Sequence, residues 1–91
     1  MKSIHKILKI IKKEFKKSLK IFKDVGLCDV VRFAVIRRKL TNEEGDSFIN
    51  YLEQNVSPEK REDDPWYWDR TNTEVRIKWL NEHIKRTKRR L

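Results

Sequence analysis

The spacing of apolar residues in the first quarter of the chain constrains the fold most. Between residues 2 and 23 these side chains recur at steps of three and four, which places them on one stripe of an α-helix. The stripe comprises Ile4, Ile7, Leu8, Ile11, Phe15, Leu19 and Phe22, with Ile10 and Ile21 on its flanks. At about 100° per residue, the lysines fall on the opposite side: Lys2, Lys6, Lys9, Lys13, Lys16 and Lys20. The pattern predicts an amphipathic helix.

Such a helix can pack in a bundle or lie on an anionic membrane. We expect packing, because the remaining segments also have one apolar face each. Gly26 interrupts the first run and predicts a turn or a helix C-cap. A second helix is predicted over residues 27–40, with a core face of Leu27, Val30, Val31, Ala34, Val35 and Leu40. A strand through "VVRFAVI" is disfavoured, because the chain has no second strand-like run to pair with it.

Two capping-box spacings predict the starts of two further helices. Thr41 with Glu44 begins one helix, whose apolar face includes Phe48, Ile49 and Leu52. Thr71 with Glu74 begins the last helix, which has Val75, Ile77, Leu80 and Ile84 on its apolar face and Trp79 at the border. The irregular segment between them contains Pro58 and Pro65. We predict an all-α fold: a small bundle of about four helices with a long aromatic-containing loop before the last helix.

The length of 91 residues predicts one domain, residues 1–91, with a small core. Within it, residues 1–23 form the Lys-rich helix and residues 86–91 form a basic tail. Charged residues make up 41% of the chain, against a usual ~25%, and the formal net charge is +9. The charge is segregated, with basic ends and an acidic middle. We therefore expect an anionic partner, and we expect the basic ends to fold over the acidic middle.

Several function classes find no support in the sequence. Cys28 is the only cysteine and lies in an apolar stretch, which is typical of a buried, inert thiol and consistent with a reducing cytosol. There is no transmembrane run, and lysines interrupt the N-terminal apolar positions, unlike in a signal peptide. His5 and His83 are far apart, so no metal site is predicted. The acidic run Glu62, Asp63 and Asp64 is typical of a solvated segment. We expect no cofactor and no enzymatic activity.

The basic residues form two candidate surfaces. The first surface consists of lysines of the first helix: Lys9, Lys13, Lys16 and Lys20. These lysines either keep the helix soluble or attract phosphate or lipid diffusely, without base-specific readout. Towards the C-terminus the cations are mostly arginines, among them Arg86, Arg89 and Arg90. Guanidinium groups suit phosphates and stack on aromatic planes.

The aromatic triplet Trp66, Tyr67 and Trp68 has two interpretations. In the first it is a latch that packs on the last two helices. In the second it is a platform on which a base or a partner side chain stacks, while Arg70 or Arg76 holds the attached phosphate. The sequence leaves both interpretations open.

Five short stretches occur in an order that resembles a group of small proteins encoded by tailed bacteriophages. They are Gly26-Leu27-Cys28, "KLTNEE", "NYLEQN", "WYWD" and "EVRIKWLNEHI", and they cover residues 25–85. In this chain Asp69 follows the aromatic cluster, where the group has a proline or glycine turn. The resemblance implies a non-enzymatic accessory protein, made in the cytoplasm of an infected bacterium, that counters or redirects host machinery.

Three functional hypotheses follow. The first is neutralisation of a host factor, either a host protein or a nucleotide signal used in defence. The second is nucleic-acid binding through the basic helices. The third is peripheral attachment to a membrane surface by the first helix. Homo-oligomerisation is compatible with each hypothesis, because a chain this short buries more apolar surface when two copies associate.

Overall fold

The computed structural model describes residues 1–23, 25–55 and 73–88. They form four helices: α1 (Ile4–Leu19), α2 (Leu27–Ile36), α3 (Asn42–Asn55) and α4 (Thr73–Lys88). No strand occurs within these ranges. The predicted all-α bundle of four helices is therefore confirmed. The predicted loop before the last helix falls on residues 56–72, which lie outside the described residues.

Helix α1 is the centre of the bundle and contacts each of the other three helices. Its inner side is buried through Ile7, Leu8, Ile11 and Phe15. These side chains share one core with residues of the other helices, among them Leu27, Val30, Ala34, Phe48, Leu52 and Leu80. Each fully buried side chain of this size contributes about 1.5–3 kcal/mol to folding. The apolar stripe of α1 therefore packs in the bundle and does not face outward.

Polar contacts at both ends of α1 show that α4 runs antiparallel to it. Near the start of α1, the Nδ1 atom of His5 lies 3.0 Å from the Oγ1 atom of Thr87, at the end of α4. Beyond the other end of α1, the guanidinium of Arg76 in the first turns of α4 donates to the Val25 carbonyl. Both contacts are buried, so they fix the relative direction of the two helices.

Helix α1 ends earlier than its apolar stripe predicts. The stripe continues to Phe22, but the helix ends at Leu19, and Lys20 is its C-cap. The amides of Ile21 and Phe22 both donate to the Ser18 carbonyl, which forms a turn there. The prediction that Gly26 caps this helix is wrong, because Gly26 has an extended backbone and is the N-cap of α2.

Helix α2 is shorter than predicted and ends in a Schellman motif. The amide of Arg38 donates to the Val35 carbonyl and that of Lys39 to the Ala34 carbonyl. Arg38 adopts the left-handed conformation, with φ of 59°. This motif turns the chain after Ile36, so Leu40 reaches the core from beyond the helix.

A capping box at the start of α3 is confirmed. The Glu44 amide donates to Thr41 Oγ1 at 3.1 Å, and the Thr41 amide donates to Glu44 Oε1 at 2.9 Å. Gly45 follows in the first turn, where a Cβ atom would lie 3.1 Å from Val31 Cγ1 and 3.3 Å from Val35 Cγ2. Gly45 therefore allows α3 to approach α2 closely.

In α4 the predicted apolar face is only partly correct. Leu80 and Trp79 are buried, whereas Val75 is exposed. Val75 lies on the side of α4 that carries Glu82, away from buried Arg76 and Leu80. The predicted cap residue Thr71 lies outside the described residues.

Candidate functional site

Five lysines of α1 and its C-cap form a continuous exposed surface, which we call the lysine face. Its members are Lys6, Lys9, Lys13, Lys16 and Lys20, and all five side chains are exposed. Their spacing of three and four residues follows from the same periodicity that buries the opposite side. At 1.5 Å per residue the lysine face extends for about 21 Å along α1.

The lysine face has no carboxylate from its own helix beside it. Glu14 is the only acidic residue of α1, and its side chain is buried on the inner flank. There it lies 3.3 Å from the Arg37 guanidinium and 3.8 Å from the Lys17 ammonium. Among the ion pairs of the described residues, none involves a member of the lysine face. These five ammonium groups are therefore available to an external anion.

Exposed acidic residues of the bundle concentrate on α3. Glu43, Asp46 and Glu53 are exposed there, and α3 contains no basic residue. Glu44, the fourth acid, is buried and accepts from the Lys2 amide at 2.7 Å. The amides of Thr41 and Lys2 lower the pKa of Glu44 from 4.5 to about 2. The bundle therefore has a basic side on α1 and an acidic side on α3.

The arginines predicted to bind phosphate occupy different environments. Arg76 is fully buried, and its guanidinium donates to the Val25 carbonyl, so it cannot reach a phosphate in solvent in this arrangement. Arg86 is exposed, and its guanidinium lies 2.6 Å from the carboxylate of Glu82 on the preceding turn of α4. Arg70, Arg89 and Arg90 lie outside the described residues.

The aromatic platform cannot be placed, because Trp66, Tyr67 and Trp68 lie outside the described residues. A second aromatic cluster, not predicted from the sequence, joins α3 to α4. Trp79 packs edge-on against Phe48 and Tyr51 and stacks on His83 at a centroid distance of 4.2 Å. The Tyr51 hydroxyl lies 2.7 Å from His83 Nδ1. Trp79 and His83 are buried, so this cluster stabilises the helix pair.

Both histidines take part in structural hydrogen bonds. The Thr87 hydroxyl has one hydrogen, and it donates to the His83 carbonyl at 2.8 Å. Thr87 Oγ1 therefore accepts from His5, which places a hydrogen on Nδ1 of that ring. The described residues contain no group of three or more His, Cys, Asp or Glu side chains suited to a metal ion.

A shallow apolar depression lies between the end of α1 and α2, and we call it the α1/α2 groove. It encloses about 200 Å³ and is lined by Ser18, Ile21, Phe22, Phe33, Ile36 and Arg37. Phe22 and Phe33 stack with their ring centroids 5.9 Å apart. Ile21 and Ile36 are 75% and 74% exposed. The early end of α1 and the outward position of Ile36 create this groove, and the sequence pattern did not reveal it.

No protein-family model, curated protein or solved structure matches this chain. Among the helices that the structure describes, none is both long enough and apolar enough to cross a membrane.

Proposed function

We propose that this chain is a non-enzymatic nucleic-acid-binding protein that contacts phosphates through the lysine face. The observation that supports this proposal is the row of five exposed ammonium groups on one rigid helix, with the only acid of that helix buried on another side. Lysine ammonium groups neutralise phosphates and release the counterions condensed around them.

The shape of the lysine face favours a linear polyanion over a single nucleotide. A row about 21 Å long lies beside several phosphates of one strand, which are 3.4 Å apart along the axis of B-DNA. A nucleotide offers its phosphates at one point only. Lysine is a flexible point charge without the planar fork of arginine, so we expect contacts to the backbone and little sequence preference.

We further propose, from the phage resemblance alone, that this activity takes place in the cytoplasm of an infected bacterium. Neutralisation of a host protein or of a nucleotide signal stays a prediction. Arg76, one of the two arginines that this hypothesis assigns to the phosphate of the signal, is fully buried in the bundle. The aromatic residues of the same hypothesis, Trp66, Tyr67 and Trp68, lie outside the described residues and stay predictions.

The test is binding of the full chain to a fluorescently labelled duplex of random sequence, measured by anisotropy at 50 mM salt. The variant is Lys9→Glu/Lys13→Glu/Lys16→Glu. Each change lowers the formal charge by two, so the net charge falls from +9 to +3. We expect the variant to lose at least about a hundredfold in affinity, because three cations become three repelling anions.

A matched control separates the lysine face from net charge. Lys78→Glu/Lys85→Glu/Lys88→Glu changes three exposed lysines of α4 and gives the same net charge of +3. We expect this control to retain substantially more affinity than the α1 variant. Equal losses in the two variants would mean that overall charge governs binding, and the proposed interface would be wrong.

A further inference from the structure

The α1/α2 groove exposes apolar surface that the lysine-face proposal does not use. Ile21 and Ile36 flank the groove, and each leaves about three quarters of its area in solvent. The stacked pair Phe22 and Phe33 also lines the groove. Single exposed apolar residues are ordinary, but clustered ones around a depression are typical of an interaction site.

The charge around the groove restricts what covers it. The residues beside its apolar members in sequence are cations: Lys20 and Lys23 on the α1 side, and Arg37, Arg38 and Lys39 after α2. All five are exposed. Arg37 lines the groove itself, although it also pairs with Glu14. This rim disfavours a second copy of the chain, because docking two such grooves would bring like charges together.

Nucleic acid supplies phosphates for this rim but presents no aliphatic surface to Ile21 and Ile36. An anionic bilayer supplies both chemistries at once, with phosphates at the headgroups and hydrocarbon directly beneath them. The groove is also open and shallow, and its most exposed side chains protrude from a turn and from a helix end. Protruding side chains enter a lipid interface without any rearrangement of the bundle.

We propose that the α1/α2 groove is a peripheral docking site for an anionic phospholipid surface. Ile21, Ile36 and the edge of Phe22 enter the interface between headgroups and acyl chains, while the rim cations contact lipid phosphates. This site differs from the third hypothesis of the sequence analysis, attachment by the whole first helix, because Ile7, Leu8, Ile11 and Phe15 are buried in the bundle and only Ile21 and Phe22, beyond the end of α1, remain exposed. Its apolar contacts are separate from the nucleic-acid proposal, since Lys20 is the one side chain that the groove rim shares with the lysine face.

The test is co-sedimentation of the full chain with large unilamellar vesicles of two compositions. One is an equal mixture of phosphatidylglycerol and phosphatidylcholine, and the other is phosphatidylcholine alone. We expect binding to the anionic vesicles and little to the neutral ones. Ile21→Ser/Ile36→Ser should lower the partition coefficient on the order of tenfold or more, because apolar surface is lost from the interface.

Two controls accompany this variant. Val75→Ser removes an exposed apolar side chain on α4, outside the groove, and should leave partitioning unchanged. The single variant Ile36→Ser, to which it is compared, should lower partitioning. The duplex affinity of Ile21→Ser/Ile36→Ser should equal that of the unaltered chain, which separates failure of this proposal from failure of the nucleic-acid proposal. Circular dichroism confirms that each variant is folded.

A fluorescent label gives a second readout. In a Cys28→Ser background, an environment-sensitive dye on Ile36→Cys should shift to the blue on anionic vesicles, whereas the same dye on Val75→Cys should not. Two results would overturn the proposal. One is no binding to anionic vesicles, which would indicate that the groove binds an acidic helix of a protein partner instead. The other is vesicle binding that Ile21→Ser/Ile36→Ser leaves unchanged, which would assign the contact to cations alone.

Discussion

The inner and outer sides of α1 arise from one periodic pattern but have opposite roles. The inner side buries Ile7, Leu8, Ile11 and Phe15 among all three other helices. The outer side exposes the five ammonium groups of the lysine face. The inner side determines whether the bundle exists, and the outer side determines what the folded bundle attracts. Substitutions on the two sides should therefore separate stability from binding.

The largest effect is expected from Phe15→Ala on the inner side. Phe15 is fully buried in the core, so its truncation leaves a cavity and should lower the free energy of unfolding by about 3–5 kcal/mol. Urea denaturation followed by circular dichroism measures the loss. Ile21→Ala, at an exposed apolar position, should change stability by less than about 0.5 kcal/mol. Similar losses of unfolding free energy in the two variants would contradict the assignment of Phe15 to the buried inner side of α1.

A smaller effect is expected from Arg37→Met, which removes one partner of buried Glu14. The cost should be about 1 kcal/mol, below that of a fully buried pair, because the Arg37 side chain is half-exposed and Lys17 remains nearby. Arg32→Met is the matched control, because Arg32 is an exposed arginine of α2, the helix that Arg37 caps. The two variants are compared by urea denaturation at neutral pH. Equal stability in both would show that the Arg37–Glu14 pair contributes nothing.

A pH-dependent effect is expected at Glu44, whose carboxylate accepts a hydrogen bond from the amide of Lys2, just before α1. Its folded-state pKa is lowered to about 2, so its stabilisation is present above its usual pKa of 4.5 and is lost as the pH falls towards 2. Glu44→Gln cannot titrate. The stability difference between the unaltered chain and Glu44→Gln should therefore shrink between pH 4.5 and 2.

Urea denaturation across this pH range measures the difference. Glu43→Gln serves as the control, because Glu43 is the exposed neighbour in the same helical turn. A difference for Glu44→Gln that stays constant from pH 7 to 2 would contradict the assigned contacts to the Thr41 and Lys2 amides.

The smallest effect on stability is expected on the outer side. Lys9→Gln, Lys13→Gln and Lys16→Gln should each change the free energy of unfolding by less than about 0.5 kcal/mol, because these side chains are exposed and have no ion pair among the described residues. Thermal unfolding of the three single variants checks this. A loss as large as that of Arg37→Met would assign the lysines a structural role.

Local patterns in the sequence predicted the helices well. The three- and four-residue periodicity located the buried side of α1, and the Thr41/Glu44 spacing located the start of α3. Both signals operate within a few residues of chain. The exposure of Lys9, Lys13, Lys16 and Lys20 followed from the same periodicity.

Contacts between distant segments could not be predicted in this way. Glu14 and Arg37 are 23 positions apart, and Arg76 reaches Val25 across 51 positions. The sequence gives no indication that an arginine in a basic helix bonds inward to a carbonyl. The α1/α2 groove also depends on where α1 stops, because Ile21 and Phe22 lie in the turn and not in the helix.

The salt dependence of duplex binding tests the central claim most directly. For the unaltered chain, the logarithm of the binding constant should fall linearly with the logarithm of salt concentration between 50 and 200 mM, with a slope of about −4 if most of the lysine face contacts phosphate. Lys9→Gln/Lys13→Gln/Lys16→Gln should reduce that slope by about 3 units, whereas Lys78→Gln/Lys85→Gln/Lys88→Gln should leave it nearly unchanged. An unchanged slope in the α1 variant would contradict the assignment of the lysine face as the nucleic-acid interface.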